Sequence, residues 1–388
     1  MCEGHLAAGK QESCGECESG DHTSHKQPPR EWADECASFM PTYNNTGAMR
    51  LFGRRAAMRS AAAMASRRRF VSCKSGPRFR GKPMMRRMIV VTAIAAVLGI
   101  ALFWFLTIPA TVSVSSLSPR TPDLNNGREM FYAGGCASCH AVPKQKDATR
   151  LGGGLALNSP FGTFYVPNIS PDLRHGIGGW TEVQFITAMT KGTSPANEHL
   201  FPAFPYTSYQ HMRPDDLRDL FAFLKTLPPV QGRVRDHDLR FPFNIRRAVG
   251  LWKLLFLDGQ PFKPDPAQSE QWNRGAYLAN GPGHCAECHS PRNIFGAVIT
   301  SLRFTGGPSP DGQGGVPNIT QYKLKTWTEK DIAATLTDGM TLDADLVGGN
   351  MIEVVANIAK LTADDRNAIA AYIKSLPPVE GLKPSPKS

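Results

Sequence analysis

The chain has 388 residues, 41% hydrophobic and 20% charged, with 44 Lys and Arg against 33 Asp and Glu. Its length allows about two domains of ordinary size, and its composition excludes a collagen-like or wholly disordered chain, although 36 Gly and 31 Pro point to many loops. Residues 1–107 carry +8 and residues 108–388 only +3, so the net charge belongs to the leader and gives no basis for nucleic-acid binding.

Residues 1–83 show no sustained helical or strand period, and no acidic residue lies between Cys36 and Thr107. Residues 36–83 have the Arg-rich, acid-free composition of an organellar transit peptide. Met84, Met85 and Met88 each offer a sensible start, so we read residues 1–83 as a disordered leader or an overlong gene assignment. The Cys14-Gly-Glu-Cys17 pair is followed directly by Glu18 rather than His, and neither metal nor haem is assigned there.

Residues 84–110 read as a transmembrane anchor. Met88–Thr107 is an uncharged run of twenty residues preceded by Arg86 and Arg87, long enough at helical rise for roughly 30 Å of bilayer core. The basic flank is expected to stay cytoplasmic, which puts everything after Thr107 outside. A cleaved signal peptide is the rival reading, but its apolar region is shorter, at about 7–15 residues, and no A-x-A-like site follows Phe105.

Past the anchor the chain repeats itself. Cys136-Ala-Ser-Cys139-His140 and Cys285-Ala-Glu-Cys288-His289 are both C-x-x-C-H, the pattern for covalent attachment of haem c. Two thiols three positions apart on a helical turn can add to the two vinyl groups of one haem, and the next residue sets an imidazole under the iron. Cys136 and Cys285 are 149 residues apart, as are Leu227-Pro-Pro-Val230 and Leu376-Pro-Pro-Val379. Val166-Pro-Asn-Ile169 matches Val316-Pro-Asn-Ile319, and Trp180-Thr-Glu182 matches Trp327-Thr-Glu329. The repeat predicts a mainly α protein, with two tandem class I-like cytochrome c domains, residues 121–232 and 267–380, after the transmembrane helix. In each, a short helix ends in the motif, a loop follows, a helix opens near Trp-Thr-Glu, and a last amphipathic helix closes the unit. The stripe Leu217, Leu220, Phe221 and Leu224 marks the first of these closing helices. Residues 233–266 link the units, and their Phe241, Phe243, Trp252, Leu254, Leu255 and Phe256 are expected to pack between them.

His140 and His289 supply one axial ligand per iron, and Met/His ligation would saturate the metal as suits an electron carrier. For the sixth position the first unit offers Met212, 72 residues after His140, with Met189 and His211 as alternatives. The second unit offers Met351, 62 residues after His289, with Met340 as the alternative. The carbonyls of Pro167 and Pro317 either accept the imidazole N–H groups or belong to ordinary loop turns. Trp180 and Trp327 read as packing against haem edge or core.

The stretches Gly134-Gly-Cys-Ala-Ser-Cys-His140, Phe201-Pro-Ala-Phe-Pro-Tyr-Thr-Ser-Tyr209-Gln-His-Met212, Phe241-Pro-Phe-Asn-Ile-Arg246 and His284-Cys-Ala-Glu-Cys-His-Ser-Pro-Arg-Asn293 resemble the cytochrome c subunits of membrane-bound alcohol, aldehyde and gluconate dehydrogenases. The resemblance covers roughly residues 121–380, linker included. It implies that Met212 and Met351 are the axial ligands and that electrons arrive from a periplasmic dehydrogenase with quinoprotein, flavin or molybdenum chemistry. It departs from the best-known subunits, which carry three haem motifs, and the acceptor therefore stays open between quinone, a soluble cytochrome and an oxidase. The expectation is a non-catalytic, single-pass inner-membrane carrier with two covalently bound haem c groups in the periplasm. A dihaem peroxidase and the dihaem subunit of a terminal oxidase are the alternatives. A thiosulfate-oxidising enzyme has less support, because past Cys73 no cysteine lies outside the two motifs.

Overall fold

The computed structural model describes residues 83–309 and 314–382, so the readings made for residues 1–82 lie outside the described part. The described chain is mainly helical. Helix α1, Pro83–Leu106, is long and apolar enough to cross a membrane and buries none of its span against the rest of the protein.

Two sets of helices then follow in the same order. The first comprises α2 (Leu124–Ala133), α3 (Cys136–His140), α4 (Glu182–Lys191), α5 (Tyr206–Tyr209) and α6 (Pro214–Thr226). After α7 (Val249–Phe256), the second comprises α8 (Glu270–Asn280), α9 (Cys285–Cys288), α10 (Glu329–Asp338), α11 (Met351–Ile358) and α12 (Ala363–Ser375). The matching Trp-Thr-Glu segments do open helices: Thr181 and Thr328 each form a capping box, with Gln184 and Asp331 respectively. The closing helices stop two residues before Pro228 and Pro377, as a residue preceding proline favours extended backbone.

One expectation needs correction. The opening helices do not end in the C-x-x-C-H motifs. Helix α2 stops at Ala133 and α8 at Asn280, and each motif occupies a short helix of its own. Left-handed backbone at Gly135 (φ 54°) and His284 (φ 38°) makes the break. Turning the chain there separates the cysteines from the opening helix, which remains free to pack on the closing one.

That packing is the frame of each half, with α2 against α6 and α8 against α12. Its closeness needs glycine. A Cβ on Gly127 would overlap the Asp219 carbonyl, and one on Gly275 the Ala368 carbonyl. Asp219, 2% exposed, also accepts from the Asp123 N–H and the Asn126 amide, both at 2.8 Å, and pairs with Arg120 at 2.9 Å. A single apolar cluster runs through both halves, joining Met130, Phe131 and Met212 to Ala276, Leu278 and Ile369.

The segment between the halves belongs mostly to the first. Strands β1 (Ala156–Ser159) and β2 (Gly162–Tyr165) form an antiparallel pair, and β3 (Asp238–Leu239) adds to β2 with Gly162 opposite Leu239. In the second half β4 (Gly307–Pro308) pairs with β5 (Gly315–Val316). Val249 of α7 packs on Phe164 and Phe201, and the Lys253 ammonium donates to the Lys191 and Gly192 carbonyls at the end of α4. Trp252 does bridge the halves as expected: its indole N–H donates to the Phe295 carbonyl at 2.9 Å and its ring meets Tyr206 edge-on. The expectation fails for Leu254 and Leu255, which are exposed because α7 turns its other face inward, and for Phe241 and Phe243, exposed in the turn ahead of α7.

Two outcomes test this frame. Gly275→Ala should cost about 3 kcal/mol or more in urea unfolding through overpacking, whereas Gly179→Ala, whose Cβ would meet nothing closer than 3.6 Å, should stay within about 0.5 kcal/mol. Burial lowers the Lys253 pKa from 10.5 to about 7. The unfolded chain therefore binds more protons between those values, and stability should rise with pH across that window. A melting series from pH 7 to 10 should show a shallower rise for Lys253→Met than for the parent.

Candidate cofactor site

Each C-x-x-C-H segment is held by the same device. His140 Nδ1 donates to the Pro167 carbonyl at 2.8 Å, and His289 Nδ1 to the Pro317 carbonyl at the same distance. The loops carrying those carbonyls are tied down by the next residue. The Asn168 amide donates to the Val230 carbonyl at 2.7 Å and its oxygen accepts the Ser170 N–H. Asn318 likewise donates to the Val379 carbonyl at 2.8 Å and accepts from Thr320. The repeated Val-Pro-Asn-Ile and Leu-Pro-Pro-Val tetrapeptides are thus two ends of one brace.

The brace leaves the Nε2 lone pair of each imidazole free to bind a metal. Burial lowers both ring pKa values, that of His140 to about 4, so each ring is neutral at pH 7. Cys136, Cys139, Cys285 and Cys288 carry thiols rather than disulfides, and burial pushes the Cys136 thiol up to about 12 and the Cys285 thiol to about 11. Paired neutral thiols beside a neutral imidazole with its Nδ1 already committed fit the covalent attachment and axial ligation of haem c.

Met212 is buried, and its side chain lies against Gly281 of the second half. Of its alternatives, Met189 sits in the core, and His211 engages the Gln260 carbonyl through Nδ1 at 2.8 Å. Met351 opens α11 and is half-buried, while Met340 is 52% exposed. Trp180 and Trp327 pack partly buried against the core.

Each motif segment is also gripped by the other half, in a reciprocal pattern that the repeat spacing does not reveal. The Asn357 amide on α11 donates to Ser138, inside the first motif, at 3.0 Å. The hydroxyls of Thr207 and Ser208 on α5 donate to Glu287, inside the second motif, at 2.7 and 2.9 Å. Arg292 pairs with the same carboxylate at 2.7 Å. Burial works against that charge, but Arg292 and the two hydroxyls hold its pKa below the usual carboxylate range. Between them His284 Nε2 meets the Gly134 carbonyl at 3.3 Å, and the Tyr209 ring stands edge-on to His284. The residues just before Cys136 and just before Cys285 are therefore neighbours.

Residues 124–228 match the family model for cytochrome c. The chain is 46% identical over 299 residues to a dihaem cytochrome c-type protein of Cereibacter sphaeroides, covering 76% of this chain and all of that one. It is 34% identical to the fructose dehydrogenase cytochrome subunit of Gluconobacter japonicus, covering 67% of this chain and 54% of that subunit. To the cytochrome c subunit of the quinone-dependent alcohol dehydrogenase of Gluconacetobacter polyoxogenes it is 36% identical, covering 67% and 58%. The chain thus spans little more than half the length of these dehydrogenase subunits.

If Glu287 clamps the two halves, Glu287→Ala should cost about 1–3 kcal/mol in urea unfolding. A double-mutant cycle with Ser208→Ala should give a coupling of at least about 0.5 kcal/mol, and strictly additive costs would remove the clamp.

Proposed function

On the footing that the chain belongs to the dihaem c-type cytochromes, we propose that it is a membrane-anchored electron carrier with two covalently bound haem c groups. It would take electrons from a periplasmic dehydrogenase and pass them to the respiratory chain, through quinone, a soluble cytochrome or an oxidase. The observation that carries this reading is the doubled brace: the same imidazole-to-proline hydrogen bond stands behind a C-x-x-C-H segment in both halves.

In this reading Cys136 and Cys139 bind one haem and Cys285 and Cys288 the other. Bound haem c supplies an iron that moves one electron at a time between its ferrous and ferric states. His140 and His289 would hold the two irons through their Nε2 atoms. Donation from Nδ1 to a carbonyl fixes each ring's tautomer and raises its basicity. Met212 and Met351 would supply the thioether sulfurs that saturate the irons, which favours electron transfer over ligand chemistry. The names of the relatives support a dehydrogenase donor, because fructose and alcohol dehydrogenases use cytochrome subunits of this kind. Helix α1, with Arg86 and Arg87 ahead of its apolar run, supports a single inner-membrane pass with the remainder in the periplasm.

The test is optical. Purified protein, reduced and exposed to carbon monoxide, should show no spectral response, whereas Met351→Ala should bind the gas at one haem and leave the other unchanged. Rapid binding by the parent protein, with peroxide turnover, would replace the carrier reading with a peroxidase.

A further inference from the structure

We infer that helix α7 lies in the outer headgroup region of the membrane as a second, shallow contact beside α1, its partner being a lipid surface. The inference rests on reading α1 as a membrane anchor.

The depth of α7 follows from what holds it. Arg247, just ahead of the helix, donates from Nε to the Thr107 hydroxyl at 2.8 Å and from its terminal nitrogen to the Trp104 carbonyl at 2.9 Å. Its guanidinium also lies 4.2 Å from the centroid of the Trp104 ring. Thr107 is fully buried, its carbonyl accepts from His199 at 2.9 Å, and its Cβ would meet a Cβ on Gly250 at 2.7 Å. These contacts pin α7 to the last turn of the apolar helix. In a bilayer that turn is the boundary between acyl chains and headgroups, where a Trp ring and an Arg are both at home.

The face that α7 leaves uncovered continues from that attachment. Leu251, Leu254 and Leu255 follow Arg247 at helical spacing and are 39%, 60% and 71% exposed, whereas Val249, Gly250 and Lys253 on the other face are buried. The face extends onto Phe295 and Ile294, exposed by 55% and 85%, with Phe256 bridging to the Phe295 ring at 6.2 Å. No acidic residue lies between Asp238 and Asp258, while Arg240, Arg246 and Arg247 do. An apolar helical face flanked by cations, held at the headgroup boundary, has the composition of an interfacial helix on anionic lipid.

The experiment uses the full haem-loaded chain in vesicles of phosphatidylcholine and phosphatidylglycerol, with Leu255 replaced by the photoreactive residue benzoylphenylalanine. The same residue at Phe105 reports the anchor, and at Leu173, 78% exposed, it reports background. After irradiation, lipid adducts are expected at 105 and at 255, the latter at least tenfold above the yield at 173. Adducts at 105 with only background at 255 would overturn the inference and leave the anchor intact, as would a protein adduct at 255 in native membranes in place of lipid. Lipid adducts at neither position would remove the anchor reading and this inference with it.

Discussion

Two hydrogen bonds, His140 to Pro167 and His289 to Pro317, organise most of what surrounds them. A histidine one residue past a cysteine can rotate freely unless its second nitrogen is engaged, and here a backbone carbonyl engages it. A carbonyl in a loop is only as fixed as the loop. Asn168 and Asn318 therefore fasten the loops to Val230 and Val379, beyond the ends of α6 and α12. Those helices are in turn held against α2 and α8 by side-chain-free crossings at Gly127 and Gly275. The imidazole, the loop, the closing helix and the opening helix form one mechanical chain, built twice.

Most of that chain was legible in the sequence because its members recur. The tetrapeptides around Pro167 and Pro317, and those ending in Val230 and Val379, sit at nearly constant offsets from the cysteines. A device built twice leaves such a trace. The capped starts of α4 and α10 and the buried stripe of α6 were readable for ordinary reasons of capping chemistry and periodicity.

What escaped the sequence is what does not repeat. Ser138 meets Asn357 across 219 positions, and Glu287 meets Thr207 and Ser208 across 80 and 79. Each contact joins dissimilar residues, so no internal comparison reveals it. The breaks at Gly135 and His284 were marked in the sequence by Gly134-Gly135 and by Gly281-Pro282-Gly283, helix breakers passed over in favour of the motif beside them. The segment around α7 misled for a physical reason. Its apolar residues suggested burial, but a helix carrying apolar residues on two faces can bury only the one its neighbours offer, and Lys253 rather than a leucine took the inner position.

The reciprocal contacts give the two halves a common purpose. Glu287 lies inside one motif and is gripped by the helix leading to Met212, while Ser138 lies inside the other and is gripped by the helix opening at Met351. Under the proposed function, such shared walls would hold the two sites in a fixed relation, which a pair of domains on a loose tether would not provide. The claim beneath all of this is that both motifs are occupied. Its most direct test is the intact mass of the protein matured in a host that attaches haem c, beside a Cys285→Ala, Cys288→Ala variant. The account predicts two haems on the parent and one on the variant. One haem on the parent, or two on the variant, would contradict it.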